Sequence, residues 1–172
     1  TVVCETFLTD EVPNCALNIP GYEFYRRDRG APGGGIIIYF KNDLQVERWT
    51  AVESPVLESI WMNINLGGFS VLFCGCYWAP NSNASMTEHF VQALEQHVPD
   101  ENTLYMLAGD FNAHHSSWKH CSYSNTKGLL LEDFMCLYDF TQLVELPTRI
   151  TRTSESCLDF ILTNVPHLCN FK

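Results

Sequence analysis

Positive charge is scarce in this sequence: 10 Lys and Arg stand against 20 Asp and Glu in 172 residues, for a formal net charge of −10. That balance excludes a strongly basic protein that coats nucleic acid through charge alone. It leaves room for a nucleic-acid enzyme, because carboxylates gathered around a divalent metal are themselves acidic. No apolar run approaches the roughly 18 residues of a membrane span, and no basic-then-apolar leader opens the chain. Neither a membrane partner nor secretion is therefore expected. The eight Cys include no C-x-x-C pair, which argues against a metal knuckle and against a disulfide framework. Cys74 and Cys76 flank Gly75 in a strand-like run and so share a side; they read as buried free thiols of the nucleus or cytoplasm. Repeats and low-complexity tracts are absent. The Gly33-Gly34-Gly35 triplet is followed by neither a helix nor a Lys-Ser/Thr pair, so it reads as a flexible turn, not a phosphate loop.

A chain of this length fits one domain over residues 1–172, able to bury about 70% of its unfolded surface. It is organised around Leu104 to His115, LYMLAGDFNAHH. An apolar run ends at Gly109, and Asp110, Asn112, His114 and His115 follow within six residues. A run of this kind bounded by a turn residue reads as a buried strand. Such strands deliver side chains to a crevice at their carboxyl ends. A carboxylate, a carboxamide and two imidazoles placed there can bind a metal, activate water or hold an oxyanion. Equally, Asp110 and Asn112 fit an Asx-turn that bonds only nearby backbone.

Several more strands are legible. Thr1 to Cys4 is β-branched and reads as a buried strand ending at Glu5, which places a second carboxylate at a strand terminus. Gly21 to Arg29 leads into the arginines Arg26, Arg27 and Arg29, for which a solvated charged face is the plain reading, as it is for Arg149 and Arg152. Ile36 to Phe40 is a buried strand. From Ser59 to Asn65, Ile60, Met62 and Ile64 face one way while Trp61, Asn63 and Asn65 face the other; Gly67-Gly68 then turns the chain back into Phe69 to Tyr77. A short strand is expected near Gln142 to Val144. In the last strand, Cys157 to Leu162, Asp159 lies inside an apolar run, where a carboxylate needs an Arg or His partner.

Two helices complete the reading. One opens at Ser85, with Glu88 three residues on as a capping box, an apolar stripe of Met86, Phe90, Ala93, Leu94 and Val98, and structural His89 and His97 beside it; Pro99-Asp100 ends it. The second is capped by Thr126 and faces the core with Leu130, Phe134, Leu137 and Tyr138. Between them, His114, His115, His120 and Cys121 are conceivable zinc ligands, although their spacing matches no standard pattern. Runs of strands with separated helices suggest an α+β layering, not strict βαβ winding.

Glu5, Tyr77, Asp110 with Asn112, and Asp159 thus stand at strand ends or within strands, in the segments ETFL (5–8), CYWAPNSN (76–83), GDFNAHHSSW (109–118) and SCLDFILTN (156–164), with RRDR and GGGIIIYF between 26 and 40. In this order the segments resemble the endonuclease/exonuclease/phosphatase family, and within it the endonuclease domain of LINE-type (non-LTR) retrotransposons. The resemblance implies a four-layered α/β sandwich, two mixed sheets face to face with helices outside. It implies a Mg²⁺- or Mn²⁺-dependent phosphodiesterase that nicks DNA, with a reverse transcriptase in the parent polyprotein as an allied partner. By resemblance, Glu5 is a metal ligand and Asp110 orients or deprotonates the attacking water. Asn112 holds the phosphate or Asp110, Tyr77 contacts the phosphate or leaving group, and Asp159 orients a catalytic His. Arg29, His114, His115 and Arg149 are the candidate substrate contacts.

The chain begins without Met, in what reads as mid-strand. Against the family pattern, a first strand with an Asn (and sometimes a metal-binding Asp) is expected before Thr1, and a Ser-Asp-His after Lys172; His167 lacks the Ser-Asp that would make it a substitute. The expectation is a partial domain without those edge strands, with exposed strand faces and impaired catalysis. Alternatives with the same fold are an abasic-site repair nuclease or a phosphoesterase; outside catalysis, a decayed binding module.

Overall fold

The computed structural model describes residues 1–30, 33–97 and 103–169, apart from the side chains of Ala84 and His97. The expected stripe residue Val98 and the helix end at Pro99-Asp100 lie outside them.

Two sheets form face to face. The first is entirely antiparallel and is built from β1 (Val2–Cys4), β2 (Tyr22–Arg27) and β3 (Ile36–Lys41), in the order β1-β3-β2. β1 is half-buried, not buried as its β-branched sequence suggested, because it pairs on one side only. The second sheet has six strands. Its members in chain order are β4 (Gln45–Arg48), β5 (Glu58–Asn65), β6 (Ser70–Tyr77), β7 (Leu104–Asp110), β8 (Thr141–Gln142) and β11 (Asp159–Thr163), with β9 (Arg149–Ile150) and β10 (Glu155–Ser156) forming a separate hairpin before the last. The spatial order is β4-β5-β6-β7-β11-β8, with a single parallel pair, β6 and β7. That pair is joined through α1 (Ala84–His97), so one βαβ crossover sits inside the α+β layering. Neither β4 nor the β9-β10 hairpin was legible in the sequence: both are short, and β9 and β10 have exposed or half-buried residues only.

The alternation read in β5 fixes two cores. Ile60, Met62 and Ile64 meet Ile36, Ile38 and Phe40 between the sheets, while Trp61 points to the opposite face, into the core shared with the helices. Gly75 permits the close approach of the sheets, since a Cβ there would strike Ile38. Cys74 and Cys76 are buried in the helix-side core and all eight cysteines are free. The Gly67-Gly68 turn forms as expected, Leu66 N–H donating to Phe69 O at 3.0 Å and Gly67 taking a positive φ of 76°.

Helix starts differ from the sequence reading by one or two residues. α1 begins at Ala84, and the Asn83 carboxamide receives the Ser85 N–H at 3.2 Å, so Ser85 lies in the first turn and is no cap. Phe90 and Leu94 are fully buried as expected, whereas His89 is exposed. α2 (Thr126–Leu137) is capped by Asn125, not Thr126: Asn125 is the extended residue before the first turn, and its side-chain oxygen accepts the Gly128 N–H three residues on at 2.8 Å. Its buried face is Lys127, Gly128, Leu131, Phe134 and Met135; Leu137, expected inside, is 69% exposed. Among the described residues, no helix is long and apolar enough to cross a membrane.

Candidate active site

The register of the six-stranded sheet brings the site together. Asp110, the last residue of β7, is paired with Tyr77 on one side and with Asp159 on the other. Directly paired residues project to the same face. Three residues separated by up to 82 positions in sequence therefore emerge at one level of three adjacent strands. Gly109 does not break the strand before Asp110, as the sequence suggested. It lies within β7 at φ 150°, against the Cys76 carbonyl, where no Cβ fits.

Glu5 reaches this line from the other sheet. It follows β1 in a left-handed backbone conformation (φ 55°), and its Oε1 accepts the Tyr77 hydroxyl proton in a short hydrogen bond. Asn112 is also left-handed (φ 44°). Non-glycine residues adopt this region at an energetic cost and concentrate at functional sites. The Asn112 N–H donates to Asp110 Oδ1 at 3.0 Å, and its side-chain amide donates to Trp78 O at 3.0 Å. The Asx-turn is therefore formed, and it orients the Asp110 carboxylate.

Glu5, Asp110 and Asp159 line one cleft of about 600 Å³, together with Thr148. Burial pushes the Asp110 carboxyl up to about 6; the charges of Asp159 and Glu5 add to this, and the hydrogen bonds from Asn112 oppose it. Burial, and then the Glu5 carboxylate as acceptor and as charge, raise the Tyr77 phenol. Three carboxylates gathered in one cleft make it acidic. Asp159 is exposed at the start of β11, not enclosed in the strand, and no Arg or His among the described residues forms an ion pair with it. It sits at the sheet's open end, where water solvates it. Thr148 holds its backbone, Oγ1 accepting the N–H groups of Leu158 and Asp159 at 3.0 and 3.1 Å.

The candidate substrate contacts lie in different settings. Arg29 is beside Tyr77: its guanidinium carbon lies 5.6 Å from the Tyr77 ring centroid, and Glu58 accepts from its Nε at 2.6 Å. His114 stacks on Tyr123 at 4.5 Å, with Nδ1 3.6 Å from Cys121 Sγ; burial, then the charges of Lys127 and Arg149, lower its affinity for a proton. His115 is held in a loop network, with Nδ1 2.6 Å from Ser117 Oγ, which in turn donates to Glu132 at 3.0 Å. Arg149 is exposed on the β9-β10 hairpin. Of the four conceivable zinc ligands only His114 and Cys121 meet, and among the described residues no three His, Cys, Asp or Glu cluster as a metal cage. Arg152 is exposed, as a solvated charged face requires, whereas Arg26 and Arg27 are turned to backbone acceptors. Arg26 donates to Val12 O at 2.7 Å, and Arg27 to Ser54 O and Ser59 O at 2.7 and 3.2 Å.

Two residues the sequence reading passed over tie the site to α2. Asn125 caps the helix, accepts the His114 N–H at 3.1 Å and donates to Asn112 O at 3.3 Å. Asn125→Ala is expected to destabilise the chain by about 2 kcal/mol, at the upper end for a helix cap because the loop bonds go too; urea titration measures it. Lys127 is only 5% exposed and donates to Ala79 O and Pro80 O at 2.6 and 3.2 Å, pinning the turn after Tyr77. A cation in the first turn of a helix opposes the helix dipole, and that anomaly was the available signal.

A sequence profile of the endonuclease/exonuclease/phosphatase class, described as endonuclease-reverse transcriptase, matches residues 71–170. The chain belongs to the endonuclease/exonuclease/phosphatase family. Solved members share its fold at low identity. The endonuclease domain of TRAS1, a telomere-specific non-LTR retrotransposon, superposes with a TM-score of 0.66 at 17% identity, over 87% of this chain and 68% of that one. An AP endonuclease from Archaeoglobus fulgidus gives 0.61 at 12%, over 96% and 76%. A 3′-5′ exonuclease from Neisseria meningitidis gives 0.59 at 16%, over 96% and 76%. No curated protein matches the sequence. Within the family fold, the two-sheet sandwich of this chain holds Glu5, Tyr77, Asp110 and Asp159 at one end of the sheets.

Proposed function

We propose that this chain is the DNA-nicking endonuclease of a non-LTR retrotransposon polyprotein, acting with Mg²⁺ or Mn²⁺ and allied to a reverse transcriptase. The observation that carries the reading is the line Tyr77, Asp110, Asp159 on adjacent strands, closed by the Glu5 to Tyr77 hydrogen bond.

The donor set suits a hard divalent cation. Tyr77 fixes one oxygen of Glu5, which leaves the carboxylate oriented, and the carboxylates of Asp110 and Asp159 act on one another as like charges. Mg²⁺ is commonly bound through one or two carboxylates while keeping several waters. When bound, such an ion polarises a phosphoryl oxygen and stabilises the charge that grows there. The chain's own residues do the rest. Asp110, held by the Asn112 N–H, takes a proton from the attacking water or orients it. Of the two roles the family pattern offers Asn112, support of Asp110 is the one its hydrogen bonds favour. Tyr77 positions Glu5 and faces the leaving group, and Arg29, stacked beside it, offers positive charge to a phosphate.

Nicking of supercoiled plasmid with Mg²⁺, compared with the same reaction in EDTA, tests the proposal. Metal-dependent conversion to the open circle supports it; hydrolysis of small phosphoesters without nicking overturns it. Glu5→Gln is expected to weaken Mn²⁺ binding at least about tenfold, since it removes a full charge from the site. Calorimetric titration with Mn²⁺ reads this without reference to activity.

A further inference from the structure

Beside the active site lies a second groove, of about 380 Å³, formed by Asp28 and Arg29 with Val56, Leu57, Asn81 and Met86. Its walls are fixed. Arg27 holds Ser54 and Ser59, Arg29 holds Glu58, and Arg26 pairs with Asp28 Oδ2 at 3.3 Å. The Asp28 side chain is only 9% exposed, yet among the described residues its buried Oδ1 has no hydrogen-bond partner. Buried polar atoms almost always have partners, and a carboxylate oxygen without one is an acceptor awaiting a donor. None of the three arginines supplies it.

The groove and the active site share a wall. Arg29 lines the groove and covers the Tyr77 ring, and Glu58, also on the groove, is the direct strand partner of Tyr77. Neighbouring strands are about 5 Å apart, within reach of the nucleotide next to a linkage held at Tyr77. Val56, Leu57 and Met86 offer apolar surface to a flat ring, Asp28 accepts a hydrogen bond, and Asn81 carries a carboxamide with both donor and acceptor.

We propose that this groove is a base-recognition subsite for a nucleotide adjacent to the scissile linkage, selecting a base with an exocyclic amino group (cytosine, adenine or guanine) over thymine. The proposal rests on the nuclease reading and deepens it. A carboxylate oxygen accepts from the exocyclic amino N–H of cytosine, adenine or guanine, whereas thymine has carbonyl groups and no amino donor.

Two measurements separate this proposal from the function it builds on. First, dCMP, dAMP, dGMP and dTMP are titrated into the isotope-labelled chain at millimolar concentration, and amide shifts are followed by NMR. The expected result is perturbation around Asp28, Asn81 and Met86 by one or more of dCMP, dAMP and dGMP and not by dTMP, lost in Asp28→Asn and weakened in Asn81→Ala. The three amino-bearing nucleotides show which base is preferred. Second, nick sites are sequenced on a random-sequence duplex. The expected profile has one position near the nick depleted in T, and Asp28→Asn lowers that discrimination by about tenfold. Shifts indifferent to the base, or a nick-site profile that a folded Asp28→Asn chain leaves unchanged, overturn the subsite. Base-selective shifts in a chain that nicks nothing overturn the nuclease reading and leave the subsite standing.

Discussion

Asp110→Asn is expected to lower Mg²⁺-dependent plasmid nicking by about 10³-fold, within the range for loss of a positioned general base. The substitution keeps shape and the Asn112 N–H contact but removes the proton acceptor. The same change is expected to stabilise the fold in metal-free buffer at neutral pH. The carboxyl is pushed up to about 6 in the folded chain by burial and by the charges of Asp159 and Glu5. The native state therefore holds this proton more tightly than the unfolded state does. Its contribution to stability is fully present below the ordinary aspartate value and is lost as pH rises through about 6. Above that, the ionised carboxylate costs about 1 kcal/mol after allowance for solvent screening, and Asn is spared it. Thermal melts of the two chains should differ at pH 7.5 and converge near pH 4. Equal nicking by both chains would sink the base assignment. Equal melts at pH 7.5 would show that the carboxylates are not in repulsion.

Gly109→Ala is expected to cost about 3–5 kcal/mol, enough to unfold a large share of an ordinary domain. A methyl group at this position would run into the Cys76 carbonyl carbon and oxygen, which belong to the neighbouring strand and cannot swing away. The φ of 150° adds strain that only glycine avoids cheaply. Gly21→Ala is the control. Gly21 has a φ of 83° but nothing within 4 Å of a Cβ, so only the conformational cost applies, about 1 kcal/mol. Urea midpoints of the two variants should be well separated; coincident midpoints would mean that β6 and β7 are not packed as closely at Cys76 as described. Gly128 at the start of α2 behaves like Gly109, because a Cβ there meets the His114 carbonyl. Close backbone approach thus fixes both the strand that carries Asp110 and the helix that anchors the loop behind it.

Periodicity alone determined much of this molecule. The alternation of Ile60, Trp61 and Met62 required a sheet with apolar layers on both faces, Gly67-Gly68 required a tight turn, and the run from Leu104 required a central strand. These are local properties, set by side-chain direction and by the conformations glycine permits. The acidic and aromatic candidates could be named for the same reason: each interrupts a pattern that burial would otherwise make apolar. The sequence did not contain the register. Nothing local aligns Asp110 with Tyr77 and Asp159, turns Glu5 across from the other sheet, or leaves Asp159 open to solvent at the end of its strand. Caps moved by one or two residues because Asn83 and Asn125 compete with nearby Ser and Thr, and the winner is set by what else each can bond. Lys127 and Asn125 became legible only when α2 was seated on the two loops, since a buried ammonium finds its acceptors in chain nearly 50 residues away. Pairing between distant strands is a sum over many weak contacts, and that sum, not any one residue, decided where the chemistry stands.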